Sequence, residues 1–276
     1  MLNEELKLDI ITSKTNSTII KISKLNDKKY RNSEKLFLCD GIKLFKEAVS
    51  FYAKIKYIIV KNDAILDDEC IKKLKECLNK QLKVICVNSD VFNKITTEQA
   101  PQGIITVCEF LDTKHRYLNE ERIDYSNEHM MFLESIRDPG NLGTIIRNSV
   151  AFGYDRIILT SDCVDLYSPK VIRATMGAIF KIKIDVVSNV EATILNLKRS
   201  KKRILASSLG NKSLVLDSEK LSGNDVVVIG NEGHGVSNGM LYMSDDTVFI
   251  PMEPNSESLN ASVAATIFMW EQYKNK

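Results

Sequence analysis

Polar turns rich in glycine or proline follow apolar runs at three places in the second half of the chain, and this arrangement constrains the fold more than any other feature. The turns are Asp138-Pro139-Gly140-Asn141-Leu142-Gly143 with Arg147 beyond it, Gly230-Asn231-Glu232-Gly233-His234-Gly235, and Ile250-Pro251-Met252 leading into Ser258-Leu259-Asn260-Ala261-Ser262. Glycine reaches backbone angles that other residues avoid, so such turns let backbone groups face a ligand. Together they predict a binding or catalytic site; the alternative is three ordinary surface turns.

The residues around these turns alternate between strand and helix patterns. A strand over 130–134, a helix over 142–152 closed by Gly153, and a strand over 156–160 form a βαβ unit of about 30 residues, which implies a parallel sheet. The pattern then predicts a helix at 169–179, a strand at 181–187, a helix at 191–200, strands at 204–208 and 225–229, and a last helix at 258–273. The second half is therefore predicted to be an α/β domain.

The first half also predicts an α/β domain. The pattern of charged residues followed by apolar ones favours a helix over 33–48, with Leu36, Phe37, Leu44 and Phe45 among its buried positions. Strands at 55–60 and 82–87 flank a helix at 68–79, and a strand at 103–108 closes the domain. A polar stretch then separates the halves. We predict domains at 1–108 and 129–276, joined by a linker at 109–128.

Composition excludes several classes of protein. The 276 residues contain no apolar run of 18 or more, and the polar, acidic residues at the amino terminus do not fit a secretory signal, so we expect a cytoplasmic protein. Six cysteines without Cys-x-x-Cys spacing predict reduced thiols. The three histidines lack ligand spacing, so we expect no metal site. No strand precedes a Gly-x-Gly-x-x-Gly fingerprint, which disfavours a dehydrogenase.

Positive charge is concentrated near the amino terminus. The net charge is only +2, but residues 14–35 hold seven basic side chains against two acidic ones, with Tyr30 among them. Such a cluster can track phosphates, and we take Lys28, Lys29 and Arg31 as candidate nucleic-acid contacts. The alternative is a solvated helix face. A second basic run at 198–203 is interpreted as a solvated helix end.

In this order and spacing the three turns resemble the motifs of the SpoU branch of the SPOUT methyltransferases. Motif one looks like 134–147, motif two like 228–235 and motif three like 250–265, and the resemblance covers 129–276. It implies transfer of a methyl group from S-adenosylmethionine to an RNA ribose 2′-hydroxyl. It also implies a carboxy-terminal trefoil knot, a homodimer with active sites at its interface, and a small amino-terminal RNA-binding domain similar to a ribosomal protein.

The resemblance implies roles for the motif side chains. Arg147 matches the residue that contacts the substrate phosphate and hydroxyl, and a further role as general base stays open because a guanidinium is a poor base. Asn141, Glu232, Ser258 and Asn260 match the rest of the catalytic network. The alternatives are purely structural roles: helix capping for Asn141, Ser258 and Asn260, a solvated turn position for Glu232, and an ion pair for Arg147. We also expect Asn141 to hold Arg147.

The resemblance also implies where the cofactor binds. Main-chain groups near Gly230, Ile250 and Leu259 match positions that clasp S-adenosylmethionine in the family, and Met252 would shape the wall of that pocket. The domain order is closer to ribosomal-RNA than to transfer-RNA methyltransferases, so ribosomal RNA is the expected partner. A transfer-RNA enzyme and a noncatalytic RNA-binding protein on the same fold are the alternatives.

Overall fold

Helices and strands alternate along most of the chain. The structure is a computed structural model that describes residues 2–111, 115–118, 123–209, 213–216, 221–253 and 258–275. Parts of the predicted linker (112–114 and 119–122) and of motif three (254–257) lie outside these described residues. Within them the strands are β1 (Ile10–Ile11), β2 (Leu36–Asp40), β3 (Ile55–Lys61), β4 (Val84–Val87), β5 (Ile104–Glu109), β6 (His115–Leu118), β7 (Met130–Leu133), β8 (Arg156–Thr160), β9 (Lys183–Val187), β10 (Arg203–Ser207), β11 (Leu214–Val215), β12 (Asp225–Ile229) and β13 (Asp246–Phe249).

The helices lie between these strands. They are α1 (Leu2–Leu6), α2 (Ser17–Ser23), α3 (Lys28–Glu34), α4 (Ile42–Ser50), α5 (Asp68–Asn79), α6 (Ser89–Ile95), α7 (Pro139–Ala151), α8 (Pro169–Ala174), α9 (Val190–Arg199), α10 (Asn238–Met243) and α11 (Ala261–Lys274), with 3₁₀ turns at Lys24–Asn26 and Ala178–Phe180. The chain divides into two compact units. Unit one holds Met1–Leu111 and Tyr167–Phe180, and unit two holds Asp112–Leu166 and Lys181–Lys276.

Unit one is built on a mixed sheet in the order β1-β4-β3-β5-β2. Strand β5 runs antiparallel to its neighbours β2 and β3, whereas β1, β4 and β3 are parallel to one another. Alternate residues of β3 point to opposite faces: Ile58 and Val60 pack in one core cluster and Ile59 in another. Helices cover both faces, as an α/β domain requires.

The helix predicted over 33–48 is wrong. Helix α3 ends at Glu34, followed by Lys35 in the left-handed region at φ 54°, and β2 then occupies Leu36–Asp40. Gly41, at φ 116°, separates β2 from α4. A short apolar run cannot be assigned to helix or strand by periodicity, and here pairing of β2 with β5 decides. The buried Phe37 and Phe45 therefore lie on different elements.

Unit two confirms the predicted parallel α/β fold. Its sheet has the order β11-β13-β10-β12-β7-β8-β9-β6, and every pairing in it is parallel. Strands β7, β8 and β12 are buried along their whole length, which explains their continuous apolar sequences. The carboxyl ends of β13, β10, β12 and β7 consequently meet at one edge. The trefoil knot stays a prediction.

Two helix boundaries in unit two were predicted a turn away from where they lie. Helix α7 begins at Pro139, because the Asp138 side chain caps it and proline suits the first helical position. Helix α11 begins at Ala261 and not at residue 258, since Asn260 is its cap. In unit one, the predicted helix over 169–179 stops at Ala174, before Met176 (φ 50°) and Gly177 (φ 90°).

Candidate active site

The three polar turns lie together at the carboxyl edge of the unit-two sheet. Leu133, the last residue of β7, pairs with Ile229, the last residue of β12, so motifs one and two leave the sheet side by side. Strand β13, which leads into motif three, pairs with β10, and β10 pairs with β12. Tertiary pairing therefore brings together residues that are about 90 to 120 positions apart in the sequence.

A hydrogen-bonded chain of three side chains joins the motifs. Nδ2 of Asn260 donates to Oδ1 of Asn141 over 2.9 Å, and Nδ2 of Asn141 donates to Oε1 of Glu232 over 3.0 Å. Oδ1 of Asn260 also caps α11 by accepting from the backbone N–H groups of Ser262 and Val263. The family resemblance implied that these side chains belong to one network, and helix capping was the alternative for Asn260; in the structure Asn260 both joins the network and caps the last helix.

Glu232 is deprotonated, and its carboxylate binds the motif-one turn. Its carboxylate accepts the Asn141 side chain and, over 3.3 Å each, the backbone N–H groups of Arg137 and Asp138. Partial burial acts to raise the pKa of Glu232, but these hydrogen bonds outweigh it and hold the pKa below its ordinary value. Glu232 is exposed, as a turn acid would be, but these contacts also bond its carboxylate to the motif-one turn.

Asn141 is not the cap of α7. Asp138 is the cap, and its Oδ1 accepts the backbone N–H of Asn141 over 2.8 Å. Because Asn141 lies inside the first helical turn and its amide points at Glu232 and Asn260, its side chain is buried and committed to the motif network. The capping interpretation of Asn141 is therefore wrong.

Arg147 stands apart from this network. It lies on α7, exposed, and it makes no hydrogen bond or ion pair with any residue in the described ranges. Six residues separate it from Asn141, which at about 100° per residue places it roughly 120° around the helix. The expectation that Asn141 holds Arg147 is wrong. The ion-pair alternative for Arg147 also finds no partner among the described residues.

A cleft of about 480 Å³ opens beside Glu232. The four residues expected at the cofactor pocket, Gly230, Ile250, Met252 and Leu259, all line it, as do Glu232 and Ser258. Asn141, Arg147 and Asn260 are not among its lining residues. Ser258 is exposed at the cleft, and it is not the cap of α11.

Gly230 is required by the geometry of the motif-two turn. Asn231 and Gly235 bond to each other through both backbone groups, which brings the end of the turn against its beginning. A Cβ at position 230 would lie 2.2 Å from the carbonyl carbon of Gly235 and 2.3 Å from the nitrogen of Val236. Such distances are far inside van der Waals contact, so only glycine fits.

The sequence did not identify the residues that hold the motif-one turn. Ser135 has φ 56°, which is unusual for a residue other than glycine, and its three polar backbone and hydroxyl groups are all engaged. Its N–H donates to Thr160, its hydroxyl to Asp162 over 2.6 Å, and its carbonyl accepts Nδ2 of Asn231 over 2.8 Å. The Asn-x-Gly turn at Asn231 was the one sequence signal for this support.

Asp162 links this turn to Arg137. Its carboxylate accepts the hydroxyls of Ser135 and Thr160 and the Arg137 guanidinium over 2.8 Å. Burial acts to raise the pKa of Asp162, but the two hydroxyl bonds and the Arg137 charge outweigh it, so the pKa lies below its ordinary value. Because Asp162 belongs to none of the three motifs, no sequence pattern pointed to it.

Glu134 makes a second connection that the sequence did not reveal. Its carboxylate accepts the backbone N–H of Ser237 over 2.8 Å and the Ser237 hydroxyl over 2.6 Å. Ser237 in turn caps α10. The end of β7 is thereby tied to the residues that follow the motif-two turn.

The predicted RNA contacts in unit one are only partly accessible. Lys28 and Lys29 are exposed at the start of α3. Arg31 is 3% exposed and donates from Nη1 to the Leu25 carbonyl over 2.7 Å. Arg31 therefore supports the fold of this segment and is corrected from a phosphate contact to a structural residue.

Within the ranges that the structure describes, no three His, Cys, Asp or Glu side chains are grouped as a metal site would need. Among those residues, no helix has the length and apolar character to cross a bilayer.

Each half of the sequence matches a known protein family. Residues 128–270 match the SpoU rRNA Methylase family, and residues 16–106 match the MRM3-like substrate binding domain. The 23S rRNA (guanosine(2553)-2'-O)-methyltransferase RlmP of Bacillus subtilis is 28% identical over 260 residues, covering 94% of this chain and 97% of that protein. The mitochondrial rRNA methyltransferase 3 of Mus musculus is 27% identical, covering 88% of this chain and 68% of its own length.

Solved structures agree with this assignment. The AdoMet-bound rRNA methyltransferase from Sinorhizobium meliloti superposes with a TM-score of 0.84 at 28% identity, and the match covers 98% of each chain. The family model spans more than half of the sequence and includes all three motifs that the structure brings together. The chain belongs to the SpoU rRNA methylase family.

Proposed function

We propose that this protein transfers a methyl group from S-adenosylmethionine to the 2′-hydroxyl of a ribose in ribosomal RNA. The observation that carries the proposal is the hydrogen-bonded chain Asn260–Asn141–Glu232, which joins the three family motifs beside the cleft. RlmP of Bacillus subtilis, which matches 94% of this chain, is named as a 23S ribosomal-RNA 2′-O-methyltransferase. This length of match favours ribosomal RNA over transfer RNA.

The cleft suits S-adenosylmethionine in size and chemistry. Its volume of about 480 Å³ lies in the range for cofactor-sized ligands. Apolar side chains such as Val248 and Phe268 provide walls for an adenine ring, and the backbone at Gly230, Ile250 and Leu259 provides polar groups. When bound, the cofactor supplies an electrophilic methyl group on a sulfonium. Met252 would shape the wall of the site.

The motif side chains divide the remaining tasks. Glu232 is ionised and its carboxylate is engaged by Asn141 and two backbone N–H groups, so it fixes the loop and does not act as a free base. Arg147 is exposed and has donors available for a substrate phosphate and hydroxyl. Because a guanidinium stays protonated, its contribution is to stabilise the negative charge that develops on the attacking oxygen as the hydroxyl proton passes to solvent water. Ser258, at the cleft, completes the proposed catalytic set.

We also propose that the protein acts as a homodimer. Helix α11 buries Phe268 and Met269 on one side, yet Val263, Trp270 and Tyr273 on the other side are 46%, 49% and 48% exposed. A helix that is apolar all round is normally covered on both faces. Helix α7, which carries Arg147, packs against α11, so a second copy seated on this face would lie close to Arg147.

Unit one is proposed to bind the RNA, with residues 1–108 as the substrate domain and 129–276 as the catalytic domain. The family match at residues 16–106 and the exposed Lys28 and Lys29 support this role. The compartment that we propose is the cytoplasm, where bacterial ribosomal RNA is found. Replacing Lys28 and Lys29 together by Ala should weaken RNA binding and reduce its salt dependence without changing cofactor affinity.

The decisive experiment is methyl transfer to defined RNA. The purified protein, tritiated S-adenosylmethionine and ribosomal RNA from cells lacking the gene should yield 2′-O-methylated ribose at one position, and transfer RNA should yield none. Mapping ribose methylation in cells with and without the protein identifies the position. Methylation of transfer RNA alone would show that the substrate is transfer RNA. RNA binding without methyl transfer would identify a noncatalytic RNA-binding protein.

A further inference from the structure

One edge of the unit-one sheet gathers the beginnings of three strands. Strands β3 and β4 are parallel, and β5 runs antiparallel to both β3 and β2, so β2, β3 and β4 all begin at the same edge. A lysine directly precedes each of them: Lys35, Lys54 and Lys83. With strands about 4.8 Å apart, and β5 between β2 and β3, this row of lysines spans roughly 14 Å.

These lysines are exposed, and Glu109, the last residue of β5, lies at the same edge. Within the described residues, Lys35, Lys54, Lys83 and the neighbouring Lys56 make no ion pair. Nζ of Lys35 lies 5.4 Å from the centre of the Phe110 ring, and Nζ of Lys83 lies 5.4 Å from that of Tyr57, so each of these two ammonium groups lies over an aromatic ring.

Several other lysines of unit one are paired with acidic side chains. Lys43 bonds Glu47, Lys46 bonds Asp67 and Glu69 through 2.9 and 2.6 Å contacts, and Lys61 at the other end of β3 lies 3.3 Å from Asp63. The strand-start edge holds four lysines against Glu109, so it carries a net positive charge.

Two exposed aromatic side chains stand beside this lysine row. Phe51 and Tyr52 follow α4 directly and precede Lys54, and they are 42% and 88% exposed. Tyr52 has φ 55°, and the backbone bonds Tyr52 N–H to Val49 and Ala53 N–H to Ala48 hold this turn. A bulky residue in the left-handed region is uncommon, and here it directs a ring into solvent.

We propose that this edge, defined by Lys35, Lys54, Lys56 and Lys83 with Tyr52, binds an unpaired segment of the substrate RNA and that Tyr52 stacks on one of its bases. The proposal rests on the proposed function and names the surface that captures the substrate. Unpaired RNA fits because it offers phosphates to the lysines and an open base face to the tyrosine in the same few nucleotides. Duplex RNA would satisfy the lysines but would leave Tyr52 without a base.

The exposed lysines are continuous with the basic segment that the sequence singled out. Helix α3, which begins with Lys28 and Lys29, runs directly into Lys35 at the start of β2. The two groups can therefore follow one RNA strand, with the phosphates contacted along α3 and the base stacked at Tyr52.

The test compares Tyr52→Ala with Tyr242→Ala. Tyr242 is 91% exposed in unit two and serves as the matched control. Binding of a fluorescein-labelled, unpaired ribosomal-RNA fragment is followed by anisotropy, with a perfectly paired duplex of the same sequence as the second ligand. Tyr52→Ala should weaken binding of the unpaired fragment about 5- to 100-fold and leave the salt slope unchanged, whereas Tyr242→Ala should change neither. Tyr52→Trp should retain binding.

Replacing Lys54 and Lys83 together by Ala should instead lower the salt slope by about 0.7 per lysine, because fewer counterions are released. Equal weakening of duplex and unpaired RNA by Tyr52→Ala, or no weakening at all, would overturn the stacking proposal.

Failure of this proposal can be told from failure of the proposed function. S-adenosylhomocysteine affinity and the melting temperature should be the same in all of these variants, because Tyr52 is exposed and lies in unit one. Full RNA affinity in Tyr52→Ala together with ribose methylation by the wild type would refute the proposed RNA-binding surface and support the proposed enzymatic function. Binding of the RNA with no methyl transfer by the wild type would refute the enzymatic function and leave the RNA-binding surface standing.

Discussion

The amide nitrogen of Asn260 lies 2.9 Å from the amide oxygen of Asn141, across 119 residues of sequence. Since Oδ1 of Asn141 accepts this bond, its Nδ2 must face Glu232, and the orientation of the whole network follows from one contact. The amide that caps helix α11 therefore also orients the amide inside the first turn of α7. Arg147, which we propose to contact the substrate, lies outside this network.

Arg147→Ala should abolish most methyl transfer without unfolding the protein. If the guanidinium stabilises developing charge on the ribose oxygen, its loss costs about 3 kcal/mol of transition-state stabilisation, or roughly a 150-fold lower rate. Single-turnover methylation of a ribosomal-RNA fragment measures this, with melting temperature and S-adenosylhomocysteine affinity as controls. Arg147→Lys should restore little, because an ammonium lacks the two-pronged geometry. Near-normal turnover in Arg147→Ala would remove it from the mechanism.

Glu232 should make the stability of the protein depend on pH in the acid range. Its folded-state pKa lies below the ordinary value of 4.5, so its contribution is present above about pH 4.5 and is lost as the pH falls through the folded pKa. Melting temperatures of the wild type and Glu232→Gln should therefore differ most at neutral pH and converge in acid. A difference that stays constant with pH would show that the charge of Glu232 is not involved.

Gly230→Ala should destroy the motif-two turn. The added Cβ would lie 2.2 Å from backbone, which cannot move without breaking the Asn231–Gly235 bonds, so we expect a loss of about 2 kcal/mol or more in stability and a loss of cofactor affinity. Gly223→Ala is the control, since a Cβ there meets no atom within 4 Å. Thermal melting and calorimetry with S-adenosylhomocysteine measure both effects. Unchanged cofactor affinity would separate this turn from the cofactor site.

Asp162→Asn should lower the rate of methyl transfer more than it lowers stability. The substitution removes the charge that holds Arg137, and the motif-one backbone that donates to Glu232 then loses its support. We expect kcat to fall about tenfold, with the KM for the cofactor nearly unchanged, as expected for a misplaced catalytic loop.

Two further variants test whether this effect belongs to the Arg137–Asp162 contact. Lys198→Gln breaks a comparable surface ion pair with Asp245 and should leave kcat unchanged. Arg137→Gln combined with Asp162→Asn should cost little more than either alone, because both remove one interaction. Fully additive losses would mean that the two residues act independently.

Asp40→Asn should stabilise unit one at neutral pH. Burial raises the pKa of Asp40 to about 6, an effect that the Thr96 hydrogen bond only partly offsets. A raised pKa means that the stability contributed by Asp40 is fully present below about pH 3.8 and is lost as the pH rises through about 6. The melting temperature of Asp40→Asn should exceed that of the wild type at pH 7.5, and the gain should disappear near pH 4. A lower melting temperature at pH 7.5 would show that the ionised carboxylate is needed.

The sequence by itself determined the parallel α/β architecture of unit two. Fully buried strands read as unbroken apolar runs, and the glycine and Asp-Pro turns that follow them are dictated by backbone angles and helix capping, which are local properties. The polar turns pointed to Asn141, Glu232 and Asn260 as candidate site residues, whereas the resemblance to a known family, and not local chemistry, pointed to Gly230 as part of the pocket. The turns and the strands depend on residues that are close together along the chain.

Only the tertiary structure decided the rest. Periodicity could not show that Leu36–Asp40 is a strand, because its pairing partner β5 lies about 70 residues away. In the sequence Arg31 resembles any surface cation, and only the packing of α3 shows that it is buried. Asp162 belongs to no motif, and only the fold shows that it bonds to Ser135 and Arg137. Burial and hydrogen bonding between distant segments are set by how the sheet folds, so single-residue chemistry could not assign these roles.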